Sequence, residues 1–186
     1  MCTNASSVTA RNVGKEPRVR LAPLLTGGGQ ERGLRGGTLN VPGIVGMGAA
    51  AEVARHEQAA EAARLGALRD RLEAALTAAV PGARINARTV PRLPQTSSLT
   101  FPGRRAADLM MAARGLAMSA GSACASGTGR PSHVLQALGL SDADALATLR
   151  LSLGRFTTEA DVAAAAEALA AACTVTPAPA AATNSQ

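Results

Sequence analysis

From about Pro42 the chain takes on a helical period. Ile44, Met47, Ala51 and Ala54, and later Leu65, Leu68, Leu72 and Leu76, recur at spacings of three, four and seven, which places them on one face of an α-helix. Pro42 suits a first helical turn, and Pro81-Gly82 ends the run. A helix of that length is unusual in a small domain and often joins two, and Gly66 marks a place where it could bend.

The 186 residues make one full domain or parts of two. Nearly half are apolar (47%), enough for a packed core, but most of these are Ala, so the core is expected to be thin. Two Phe and no Tyr or Trp leave no aromatic platform for stacking bases. Eighteen Arg and one Lys oppose 13 acids, for a formal net charge of +6. The Arg are spread along the chain, so no DNA-binding stripe is read and nucleic acid is not expected as a partner. No apolar run approaches the ~20 residues of a membrane span, and the polar N-terminus lacks a signal-peptide core. Cys2, Cys124 and Cys173 are odd in number and far apart, with no CxxC, and neither His56 nor His133 stands at ligand spacing from them. No metal site is read, and the thiols fit a reduced, cytoplasmic protein.

Residues 1–20 read as a loose leader and Val19–Leu25 as an edge strand or its exit. Thr26–Thr38, TGGGQERGLRGGT, is an irregular loop. Beyond the long helix, strands are expected at Ala83–Ala87, Ser97–Phe101, Ala117–Ser119 and Thr148–Leu153. Helices are expected at Arg104–Arg114, Ser132–Leu138 and Thr158 to about Cys173. Thr158 with Asp161 is a capping-box signature, and Asp142, Asp144 and Glu159 also fall near helix starts, where they complement the dipole. The tail, TVTPAPAAATNSQ, is low in complexity and expected to be disordered. Alternating strands and helices predict a small α/β sandwich.

Three segments carry chemistry. In the glycine loop, main-chain N–H groups can turn toward an anion, with Arg32, Arg35 and Thr38 as further donors; the other reading is a flexible structural loop. It is neither a Walker A loop nor, with GIVGMG at Gly43–Gly48, a dinucleotide fingerprint. Cys124 sits in SAGSACASGTG, where small neighbours leave the sulfur unshielded, as a reactive thiol needs; buried structural cysteines usually pack among larger side chains. Arg130 nearby could favour its thiolate. Arg150, between Leu149 and Leu151 in TLRLSLG, needs a carboxylate partner inside the protein or a bound ligand; Arg155 has the weaker case. Cys2 reads as incidental, Cys173 as packing, His56 as surface, and His133 as capping or surface.

Together PLLTGGGQERGLRGGTLNVPGIVGMG (Pro23–Gly48), SAGSACASG (Ser119–Gly127), HVLQALGL (His133–Leu140) and LRLSLGRFTTEADV (Leu149–Val162) resemble the NifS/IscS-type cysteine desulfurases. The resemblance covers roughly residues 19–173, in the family's order. It implies the C-terminal portion of a fold-type-I transferase using pyridoxal 5′-phosphate, class-V aminotransferase superfamily. The implied division is a leader at 1–20, the end of the large domain and the start of a connecting helix at 21–60, a small α/β domain at 61–173 and a tail at 174–186. The loop around Cys124 resembles that of the class with a longer, mobile cysteine loop. By resemblance Cys124 matches the nucleophile that takes sulfur from L-cysteine as a persulfide. Arg150 matches the arginine holding the substrate carboxylate. Thr38 matches the hydroxyl that reaches the cofactor phosphate of the other subunit in a homodimer. The implied partners are L-cysteine, a second copy or a complementing chain, and a sulfur acceptor such as an iron–sulfur scaffold protein. One departure stands out: Lys15, in NVGKEPRV, is the only lysine and does not match the Schiff-base motif. Two other readings therefore stay open, a non-catalytic sulfur carrier or interaction module and a degenerate fragment of a desulfurase.

Overall fold

A computed structural model of the chain describes residues 22–120 and 130–175. The chain divides into two compact units, Met1–Val53 and Ala54–Gln186.

In the first unit the glycine segment folds as a closed loop around a 3-10 turn at Gln30–Gly33. Gly36 donates its N–H to the Leu25 carbonyl at 2.8 Å, and a Cβ at Gly36 would fall 2.4 Å from the Gly27 carbonyl oxygen. Only glycine permits that closeness. Arg35 then ties the loop's exit, donating from one Nη to the carbonyls of Gly37 (3.0 Å) and Thr38 (2.8 Å). Residues 22–25, expected to close an edge strand, form none; Pro23 removes one of the donors a ladder needs.

Asn40 starts the long helix α1, Val41–Ala79. Its side-chain oxygen accepts the Gly43 N–H at 3.1 Å, satisfying one of the orphan donors of a first turn. The helix continues through Gly66 for 39 residues, about 58 Å at 1.5 Å per residue. Its expected apolar face behaves differently at its two ends. Leu65, Leu68, Leu72 and Leu76 are buried, whereas Ile44 and Met47 remain exposed, together with Val41, Val45 and Val53.

The second unit pairs a small sheet with helices. Its elements are β1 (Arg84–Ile85), β2 (Thr96–Thr100), α2 (Ala106–Ala112), α3 (His133–Ala137), α4 (Asp142–Leu146), β3 (Thr148–Ser152) and α5 (Glu159–Val175). The strands are antiparallel in the order β1-β2-β3. β1 is shorter than expected because Ala87 adopts φ 54, a left-handed backbone that ends a strand. The expected strand at 117–119 reduces to one bridge, Ser119 with Arg150. The helix α4 was not anticipated as a separate element; Ser141 Oγ accepts the Asp144 N–H at 3.2 Å and caps it. At α5 the expected capping box is present: Asp161 N–H donates to Thr158 Oγ1 (3.2 Å), and Thr158 N–H to Asp161 Oδ2 (2.8 Å). Leu99, Phe101, Leu149 and Leu151 on one face of the sheet meet the leucines of α1, Leu109 of α2 and Leu169 of α5 in one apolar core.

Candidate functional site

The alternation of TLRLS decides where Arg150 points. Leu149 and Leu151 enter the core, so Arg150 stands on the opposite face, and it is exposed. Its register partner on β2 is Ser98. On its other side Ser119 donates its N–H to the Arg150 carbonyl (3.2 Å) and accepts the Arg150 N–H (2.7 Å). Arg150 thus spends both of its main-chain groups on Ser119, while its strand pairs with β2 on the other side. Its guanidinium has no ion pair or hydrogen bond among the described residues, so the internal-carboxylate reading of this arginine is not realised there.

Beside it the same face of the sheet carries a buried polar network. Asn86 donates to Ser98 Oγ (3.1 Å) and Thr100 Oγ1 (3.0 Å). The hydroxyls of Thr100 and Thr148 lie 2.8 Å apart, and Thr148 Oγ1 donates to the Asp144 carbonyl at 2.7 Å. A satisfied network of this kind stiffens the strands that carry it. Its only signal in the sequence was the run of hydroxyl residues at alternate positions of TSSLT and TLRLS.

The turn leaving β3 is clamped to α1. Arg64 pairs with Glu61 and also donates to the carbonyls of Thr157 (2.8 Å) and Arg155 (2.8 Å). Arg155 pairs with Glu57, and Arg71 with Glu159. Arg155, the weaker of the two candidates, is therefore occupied by a carboxylate. Sequence reasoning missed Arg64, whose partners lie some ninety residues away.

Thr38 lies in the first unit, exposed, with its carbonyl held by Arg35 and its hydroxyl without a partner among the described residues. Cys124 and Lys15 lie outside the described residues. Cys173 is buried on α5, and burial pushes its thiol up from the ordinary value, opposed by the charge of Arg104. Arg104 itself donates twice to the Cys173 carbonyl, at 2.8 and 2.5 Å. This is a packing cysteine, inert by burial. His56 meets the Arg55 side chain at 2.7 Å. His133 is exposed at the start of α3, with Ser132 at the cap position. Asp161 is held below the ordinary carboxylate value by the N–H and hydroxyl of Thr158; it serves the helix end.

The fold and these motifs belong to a known class: the chain is a member of the aminotransferase class-V family, whose model matches residues 12–164. Within that class it is similar to the cysteine desulfurases. It is 49% identical over 155 residues to the cysteine desulfurase IscS of Anaeromyxobacter sp., a match covering 83% of this chain and 38% of that protein. Among solved structures, a NifS-like protein from Rickettsia africae superimposes with a TM-score of 0.69 at 28% identity, over 83% of this chain and 40% of that one. The protein SspA, solved in complex with cysteine, is 33% identical with a TM-score of 0.50, over 74% of this chain and 37% of its own. The chain thus spans well under half the length of the relatives it matches.

Proposed function

We propose that this chain is the C-terminal part of a cysteine desulfurase that converts L-cysteine and an enzyme thiol into L-alanine and an enzyme persulfide. The observation that carries the reading is Arg150. An exposed guanidinium with no partner among the described residues, on a strand paired on both sides, is available to bind a carboxylate. Cys124 follows Ser119 by five residues, so the covalent chain keeps its Cα within about 18 Å of the strand position beside Arg150.

In this reading Arg150 binds the carboxylate of the amino acid and fixes its orientation. The Cys124 thiolate attacks the substrate sulfur; an S–S bond forms as the substrate C–S bond breaks, and the sulfur stays on the enzyme. When bound, pyridoxal 5′-phosphate supplies the electron sink for the pair released toward carbon. The described residues fit part of that cofactor's needs, a free hydroxyl at Thr38 for its phosphate. They offer no amine, since the sequence's one lysine, Lys15, lies outside them. We assign the anchoring lysine to a complementing polypeptide, since a second copy of this sequence would bring only another Lys15. The persulfide sulfur is assigned to an acceptor such as an iron–sulfur scaffold protein, in the cytoplasm.

The test is complementation. The chain is co-expressed with the portion of the Anaeromyxobacter relative that its match leaves uncovered, and alanine formation from cysteine is followed. Turnover that disappears with Cys124→Ala is expected. A complemented assembly whose turnover survives Cys124→Ala would overturn the assignment of the thiol. An assembly that holds cofactor yet forms no alanine would overturn the desulfurase reading and favour the sulfur-carrier one.

A further inference from the structure

Pairing across the sheet sets one row of residues on the face that carries Arg150. Asn86 donates its N–H to the Ser98 carbonyl at 2.8 Å, Ser98 is the register partner of Arg150, and Arg150 bridges to Ser119. Because Arg150 directs its own N–H and carbonyl to Ser119, it meets Ser98 as a non-hydrogen-bonded pair. That is the closer of the two antiparallel arrangements, with Cα atoms about 4.5 Å apart and both side chains on one face.

The hydroxyls of β2 and β3 on this face are not equally committed. Thr148 donates to the Asp144 carbonyl, and Thr100 Oγ1 lies 3.2 Å from Asn86 Oδ1 and 2.8 Å from Thr148 Oγ1. Ser98 Oγ only accepts, from Asn86 Nδ2 at 3.1 Å. Its proton has no acceptor among the described residues, and Ser98 is only half-buried, so it can be reached from solvent. The bond from Asn86 occupies one lone pair and restricts where the O–H can point. Asn86 is fixed in turn by Thr100, which bonds both ends of its amide.

A donor lacking an acceptor therefore stands beside a guanidinium lacking a counter-charge, both on strands set by sheet register. A carboxylate offers about four acceptor sites on its two oxygens. A bidentate arginine leaves some of them over, and a neighbouring hydroxyl can take one.

We propose that Ser98 is a second binding residue for the substrate carboxylate, donating its hydroxyl to one oxygen while Arg150 takes the charge. Asn86 is the positioning residue that holds Ser98 Oγ. The inference rests on the assignment of Arg150 to the substrate carboxylate and adds a donor to that site.

The test is an NMR titration of the isotope-labelled full chain with L-alanine, which carries the carboxylate without a reactive sulfur, at constant ionic strength. Saturable shifts are expected at Arg150 Nε–H and at the Ser98 amide. Ethylamine, which keeps the amine and lacks the carboxylate, should produce none. Ser98→Ala should weaken binding about fivefold, while Ser98→Thr, which keeps the hydroxyl, should stay within about twofold. The control Ser152→Ala removes an exposed hydroxyl from the same face of β3 and should also stay within about twofold. Thermal melts check that each variant is folded. Unchanged affinity in Ser98→Ala, with binding lost in Arg150→Ala, would overturn this inference and leave the role of Arg150 standing. Equal weakening in Ser98→Ala and Ser152→Ala would overturn it in the same way. No saturable response in the unsubstituted chain, or an equal response to ethylamine, would overturn the assignment of Arg150 and this inference with it.

Discussion

Ser119 and Arg150 exchange both main-chain hydrogen bonds, 3.2 and 2.7 Å long, in a bridge one residue wide. That bridge anchors the chain at Ser119, five residues before Cys124, to the strand whose cation we assign to the substrate. The two candidate residues lie 26 positions apart in sequence; the bridge brings the approach to one against the other.

Arg150 should be dispensable for folding and needed for substrate. Its side chain touches no partner among the described residues, so Arg150→Ala should change the unfolding free energy by no more than about 0.5 kcal/mol. In the complemented assembly the same variant should raise KM for cysteine about tenfold or more, because a charge-assisted contact with the carboxylate is gone. A large loss of stability with unchanged KM would assign the residue to the fold.

The Glu73–Arg92–Ser97 trio should hold the loop after β1 onto α1. Glu73→Ala leaves Arg92, itself only 15% exposed at its side chain, without its counter-charge. A loss of about 3 kcal/mol in urea unfolding is expected. Replacing both members of the ion pair with apolar residues of similar volume should recover much of it. If Glu73→Ala unfolds with the unsubstituted chain, the trio contributes nothing to stability.

Acid should weaken the start of α5. The folded-state pKa of Asp161 lies below its ordinary value of 3.8 because Thr158 donates to the charged form. The carboxylate's contribution is therefore complete above the unfolded pKa and is lost as pH falls through the folded one. Stability should decline on acidification below about pH 4, and Asp161→Asn should show a shallower decline there. Equal slopes for the two proteins would remove this group from the acid dependence.

Cys173 should resist alkylation. Its sulfur is buried and its thiol is shifted upward, so the nucleophilic thiolate is scarce and shielded. Iodoacetamide near neutral pH should modify Cys173 only after denaturant is added, as peptide mapping would detect. Labelling of the native chain at Cys173 would contradict the packing role.

Where a signal depended on neighbours in the sequence, the chain could be read directly. The leucines of α1 at intervals of three and four, the Thr158–Asp161 cap and the in–out alternation around Arg150 each follow from one residue's relation to another a few positions away. Those relations hold whatever the rest of the molecule does. The motifs around Thr38, Cys124 and Arg150 were legible as a family pattern for the same reason, each being a contiguous run.

Tertiary structure decided the remainder. It chose which half of the α1 face enters a core: Leu65–Leu76 meet the sheet, while Ile44 and Met47 stay exposed. Sheet register set Ser98 and Ser119 on either side of Arg150. The fold delivered Arg92 and Ser97 to Glu73 across 19 and 24 residues. The physical reason is range. A helix period or a cap is closed by backbone bonds over one turn, but an ion pair or a register is closed only when distant segments have already packed, and no local pattern of residues specifies which segments those are.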